Sequence, residues 1–104
     1  MLKPKKKTIP IEQSVININQ ILAGFRELIS IINDDNINNR LKRLSEMIEY
    51  SNPSTDEYIS HLDSRISAQL GDLKILLISK QPRKNIEFKL VNLMELITER
   101  NAKA

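Results

Sequence analysis

The chain holds one histidine, His61, so any general acid–base or phosphoryl-transfer step carried by an imidazole would centre there. Its surroundings read His61-Leu62-Asp63-Ser64-Arg65, and the spacing supports no Ser–His–acid set. Zero cysteines remove a thiol nucleophile, a disulfide framework and any thiolate metal site. Two glycines among 104 residues leave no glycine-rich loop to cradle a phosphate, and a single histidine excludes a His-rich metal site. No catalytic group, metal or cofactor is therefore expected, and the remaining chemistry is that of charge.

The charge is polarised. Residues 1–10 carry Lys3, Lys5, Lys6 and Lys7 with no acid, residues 11–73 hold five basic against ten acidic side chains, and residues 74–104 hold seven against three. These blocks of +4, −5 and +4 recover the net +3. The middle block would repel a phosphate backbone, and Phe25, Tyr50, Tyr58 and Phe88 are too scattered for a base-stacking platform, so nucleic acid is disfavoured as a partner. The C-terminal block (Lys74, Lys80, Arg83, Lys84, Lys89, Arg100, Lys103) suits an acidic partner or anionic lipid head groups.

The elements that position these charges follow from the apolar period. Ile11, Val15, Ile18, Leu22, Phe25, Ile29 and Ile32 repeat with 4-3-4-3-4-3 spacing, a helical seam widened by Ile21 and Leu28. Asn33-Asp34-Asp35-Asn36 stops it, and Asp34 or Asp35 caps a second helix with the seam Ile37, Leu41, Leu44, Ile48 and Met47 beside it. Pro53 closes that helix, and Ser54 with Glu57 reads as a capping box opening a third. Its seam is Ile59, Leu62, Ile66, Leu70, Leu73, Leu77, with Gly71 marking a close helix crossing. Pro82 separates it from a fourth seam, Ile86, Leu90, Leu93, Ile97, flanked by Val91, Met94 and Leu96.

Helices over about residues 10–33, 36–51, 55–80 and 83–100 are expected. The fold class is all-α, an antiparallel up-down-up-down four-helix bundle spanning 11–100, with short loops making successive helices neighbours. Residues 1–10 are expected to be a flexible basic tail, and residues 100–104 to fray. The start MLKPKKKTIP lacks an apolar h-region, and the longest apolar run, Ile75-Leu76-Leu77-Ile78, is far too short to span a bilayer. A cytoplasmic protein is the expectation.

Several partial resemblances end early. Phosphotransfer-histidine bundles resemble His-x-x-Lys-Gly, and this chain has neither the lysine nor the glycine after His61, which is expected at the surface. Helical chorismate mutases share a long first helix but need inward Arg, Lys and Glu, whereas the first seam here is aliphatic or Phe. Asn17-Ile18-Asn19-Gln20-Ile21 is similar to a short motif of plasmid mobilisation accessory proteins, without their ribbon-helix-helix part.

From Leu41 onward the chain resembles the enterocin-A-type (class IIa, pediocin-like) bacteriocin immunity proteins. The residues that carry the likeness are Ser60-His61-Leu62-Asp63-Ser64-Arg65-Ile66, then Leu76-Leu77-Ile78-Ser79-Lys80-Gln81, then a last helix with Leu90, Leu93, Ile97 and Arg100. The likeness spans about residues 37–100. It implies a cytosolic, non-catalytic four-helix bundle that protects a producer cell from its own peptide. By that resemblance the partner is a mannose-phosphotransferase-type membrane permease with bacteriocin bound, the protein is a monomer, and contact with the inner membrane face is peripheral. Lys80, Arg83, Lys84 and Lys89 would be the partner-binding residues. Two alternatives stand beside it: a basic nucleic-acid-binding accessory protein, and a helical adaptor pairing through Ile21, Leu28 and Met47.

Overall fold

A computed structural model describes residues 8–104. The chain is an all-α, up-down-up-down four-helix bundle with helices α1 (Ile11–Ile31), α2 (Asp35–Glu49), α3 (Glu57–Ile78) and α4 (Arg83–Lys103). The expected segment 1–10 lies outside the described residues up to 7. Its last residues are tied down, since Thr8 bridges Asp56 and the Ile9 amide donates to the Thr55 carbonyl at 2.8 Å.

Helix ends follow local chemistry. Asp34 caps α2, its Oδ1 accepting from the Asn36 and Ile37 amides at 2.9 and 3.1 Å. The α3 cap differs from expectation. Asp56 accepts from the Tyr58 amide at 2.9 Å, while Ser54 Oγ accepts from the Asp56 amide at 3.1 Å. Ser54 therefore shapes the approach, and the capping role falls two residues later because Asp56 is itself a strong cap. Pro10 and Pro82 stand at the α1 and α4 starts, where no side chain caps the helix.

Cross-bundle bonds give the helix directions. Asn17 meets Ser60, and Glu27 pairs with Lys74, so α1 and α3 run parallel. Asp34 meets Arg83 and Ser51 meets Asn101, so α2 and α4 run parallel. α1 packs on α2 and α3, and α4 on α3 and α2, while α2 and α3 make no close backbone approach. The expectation that they are neighbours fails, because residues 50–56 cross the bundle end diagonally. Three anchors hold that crossing: Ser14 Oγ accepts from the Ser54 amide at 2.8 Å, Arg100 Nη1 donates to the Asn52 carbonyl at 3.1 Å, and Ile9 pairs with Thr55.

The core holds Ile18, Ile21, Phe25 and Leu28 of α1, the expected α2 seam, Ile59, Leu62, Ile66, Leu70 and Leu73 of α3 with Leu77 half-buried, and Ile86, Leu90, Leu93, Leu96 and Ile97 of α4. The α1 face is rotated from the expected seam. Ile11 and Val15 are exposed, and Leu22, Ile29 and Ile32 are half-buried. Ile21 and Leu28 are buried and Met47 packs against the core, so the pairing surface imagined from them does not exist. Gly71 faces open space, and the close crossing is at Gly24, where an added Cβ would sit 3.1 Å from Leu70 Cδ1. Nor does the C-terminus fray at residue 100: α4 continues to Lys103 and Arg100 is fully buried.

Candidate functional site

The two short turns, residues 32–34 and 79–82, lie at one end of the bundle, here called the tip. α3 closes there in a Schellman-type turn, the Gln81 amide donating back to the Leu76 carbonyl at 3.0 Å and the Lys80 amide to the Leu77 carbonyl at 3.4 Å. The left-handed position of that turn is usually glycine, and here it is Lys80, with φ of 54°. An L-residue there costs roughly 1 kcal/mol or more, because its Cβ crowds the following carbonyl.

The structure divides the four expected partner-binding residues into two kinds. Arg83 is held from both sides, Nη1 donating to Asp34 Oδ2 at 2.7 Å and Nε to Glu87 Oε1 at 3.4 Å. Lys89 donates to Gln69 Oε1 at 3.0 Å and Asp72 Oδ2 at 3.4 Å. Lys80 and Lys84 are exposed and have no charged partner among the described residues. Lys74, from the same basic block, pairs with Glu27. The tip's unpaired positive charge is thus carried by two ammonium groups.

Exposed apolar side chains occupy the adjoining helix turns. Ile75, Ile78 and Phe88 are 64%, 63% and 66% exposed, and Ile31 at the end of α1 is also exposed. Sequence reasoning missed this patch, although the run Ile75–Ile78 signals it. Four consecutive apolar residues turn through more of a helix than one core-facing stripe can cover, so some must face outward.

A second polar cluster sits in the interior. Arg100 Nε donates to Asp63 Oδ1 at 2.5 Å, with the two side chains 0% and 1% exposed. Asp63 Oδ2 and Arg100 Nη2 have no hydrogen-bond partner. Burial pushes the Asp63 carboxyl above its usual 3.8, outweighing the downward pull of the Arg100 guanidinium. Asp63 also floors a groove of about 210 Å³ between α1 and α3, lined by Asn17, Gln20, Ser64 and Ser67. At the end opposite the tip, the hydrogen bond from Tyr58 to Glu99 raises the Tyr58 phenol above 10, and Lys103 Nζ lies 5.3 Å from its ring centroid.

His61 is exposed, its Nε2 lying 3.4 Å from Glu57 one turn back on α3. Among the described residues no three His, Asp or Glu side chains gather as a metal site would need, and no helix is long and apolar enough to cross a membrane. No family model, no curated protein and no solved structure matches this chain.

Proposed function

We propose that this chain is a non-catalytic binding protein of the class IIa bacteriocin immunity type, protecting its cell by engaging a toxin-bound membrane permease from the cytoplasmic side. The observation that carries the reading is the tip: two unpaired lysines, one held in a strained backbone, bordered by exposed Ile75, Ile78 and Phe88. Strain that glycine would relieve, kept at a position with no internal partner, is the pattern of a residue used outward. The segments that resemble the family, residues 60–66 and 76–81, lie on α3 and run into this turn. Protection of this kind requires a complementary surface and no chemistry.

The test is survival of a sensitive strain expressing the chain, across a panel of class IIa peptides. Selective protection against one or a few is the expected result, and Lys80→Glu with Lys84→Glu should abolish it without changing the melting curve. Arg83 is left intact in that variant, because its pairs with Asp34 and Glu87 would turn repulsive on charge reversal. Protection against none by folded protein, or full protection by the double variant, rejects the reading. A helical adaptor is the second reading, supported by exposed Ile11, Val15 and Ile16 on the first turns of α1. It calls for concentration-dependent association in sedimentation.

A further inference from the structure

We propose that the α3–α4 edge of the tip binds anionic lipid directly, Lys80 and Lys84 meeting head-group phosphates while Ile75, Ile78 and Phe88 enter the interfacial layer. The inference deepens the reading above, resting on the same tip but on neither toxin nor permease. Its first support is a charge gap: between Asp72 and Glu87 the chain carries Lys74, Lys80, Arg83 and Lys84 and no acid. Its second is which cations remain outward. The guanidinium of Arg83, suited to planar two-point recognition of a carboxylate, is already engaged by Asp34 and Glu87. The free groups are ammoniums on flexible stems, which recognise a fluid layer of phosphates as point charges and need no fixed geometry. Third, Ile75 and Ile78 in the last turns of α3 and Phe88 in the second turn of α4 are exposed, and aliphatic and aromatic side chains near lysines match an interfacial layer.

The neighbouring α1–α2 turn sets the orientation. Asp35 there is exposed with no cationic partner among the described residues, so an anionic surface repels it and contact favours the α3–α4 side. Neutralising Asp35 should therefore strengthen binding, an effect that a merely structural role for the tip would not produce.

The experiment is co-sedimentation of the full chain with phosphatidylglycerol–phosphatidylcholine vesicles and with pure phosphatidylcholine vesicles. Binding to the first and not the second is expected. Lys80→Gln and Lys84→Gln should each weaken it about fivefold, as expected for one lysine near an anionic leaflet. Phe88→Ser should weaken it further in a way that high salt does not reproduce, and Asp35→Asn should strengthen it. All four side chains are exposed, so folding is not at stake, and circular dichroism checks it. The lysines at 3, 5, 6 and 7 can add nonspecific attraction, so the variants decide. Equal binding to both vesicle types, or binding unchanged by the double Lys→Gln variant, overturns the proposal. Absence of vesicle binding while the same variant loses protection in cells also overturns it, leaving an acidic protein partner and the immunity reading. Vesicle binding without protection against any peptide upholds the lipid contact and rejects the immunity reading.

Discussion

At the scale of single residues, the three informative positions, Asp63, Arg100 and Lys80, are ones where chemistry runs against local convenience. The Asp63–Arg100 pair is buried with one oxygen and one amino group unmatched. Removing one partner strands the other charge, so Asp63→Asn should cost about 3–5 kcal/mol in urea unfolding. Replacing both, as Asp63→Leu with Arg100→Met, should cost much less than Asp63→Asn alone, the remaining loss being the bond from Arg100 to the Asn52 carbonyl. Because the native carboxyl titrates above 3.8, the folded state holds its proton more tightly than the unfolded chain. The stability difference between the native chain and the double variant should accordingly shift against the native chain as pH rises from about 3.8 through the raised native value. A difference that moves the other way over that window would show the guanidinium winning over burial. Lys80 makes the complementary case: Lys80→Gly should raise stability by about 1 kcal/mol by relieving the left-handed strain, while weakening any function of the tip.

At the scale of elements, glycine placement separates two effects that sequence inspection merges. Gly71→Ala meets nothing within 4 Å and should stabilise α3 by about 1 kcal/mol in chemical denaturation. Gly24→Ala gains the same helical preference but presses on Leu70, so its net effect should fall well below that of Gly71→Ala. Helix existence was legible because the apolar spacing of α2, α3 and α4 is the periodicity that packing requires. The α1 face was harder. Isoleucines and leucines occupy two adjacent stripes, and the true core stripe includes Ser14, which no hydrophobic count selects. The roles of Arg100, Arg83 and Lys89 were not legible either, because each depends on a carboxylate or amide 17 to 49 residues away. A basic cluster in sequence could not say which of its members remain free.

At the scale of the whole molecule, the diagonal crossing of residues 50–56 separates the bundle into two hairpins, α1–α2 and α3–α4, laid side by side. Each hairpin closes over a turn of a few residues, at small loop-closure entropy, whereas bonds joining the hairpins span 40 residues or more. The consequence is kinetic. Hairpin formation can precede docking, and contacts between hairpins belong late on the folding path. Ser14→Ala, which leaves the Ser54 amide without its partner, should speed unfolding and leave the folding rate nearly unchanged in stopped-flow chevrons. An equal slowing of folding would place the crossing in the nucleus. If docking comes last, the lifetime of the folded protein rests on all the contacts between hairpins, and the polar anchors of the crossing contribute to it from the end of the bundle farthest from the tip.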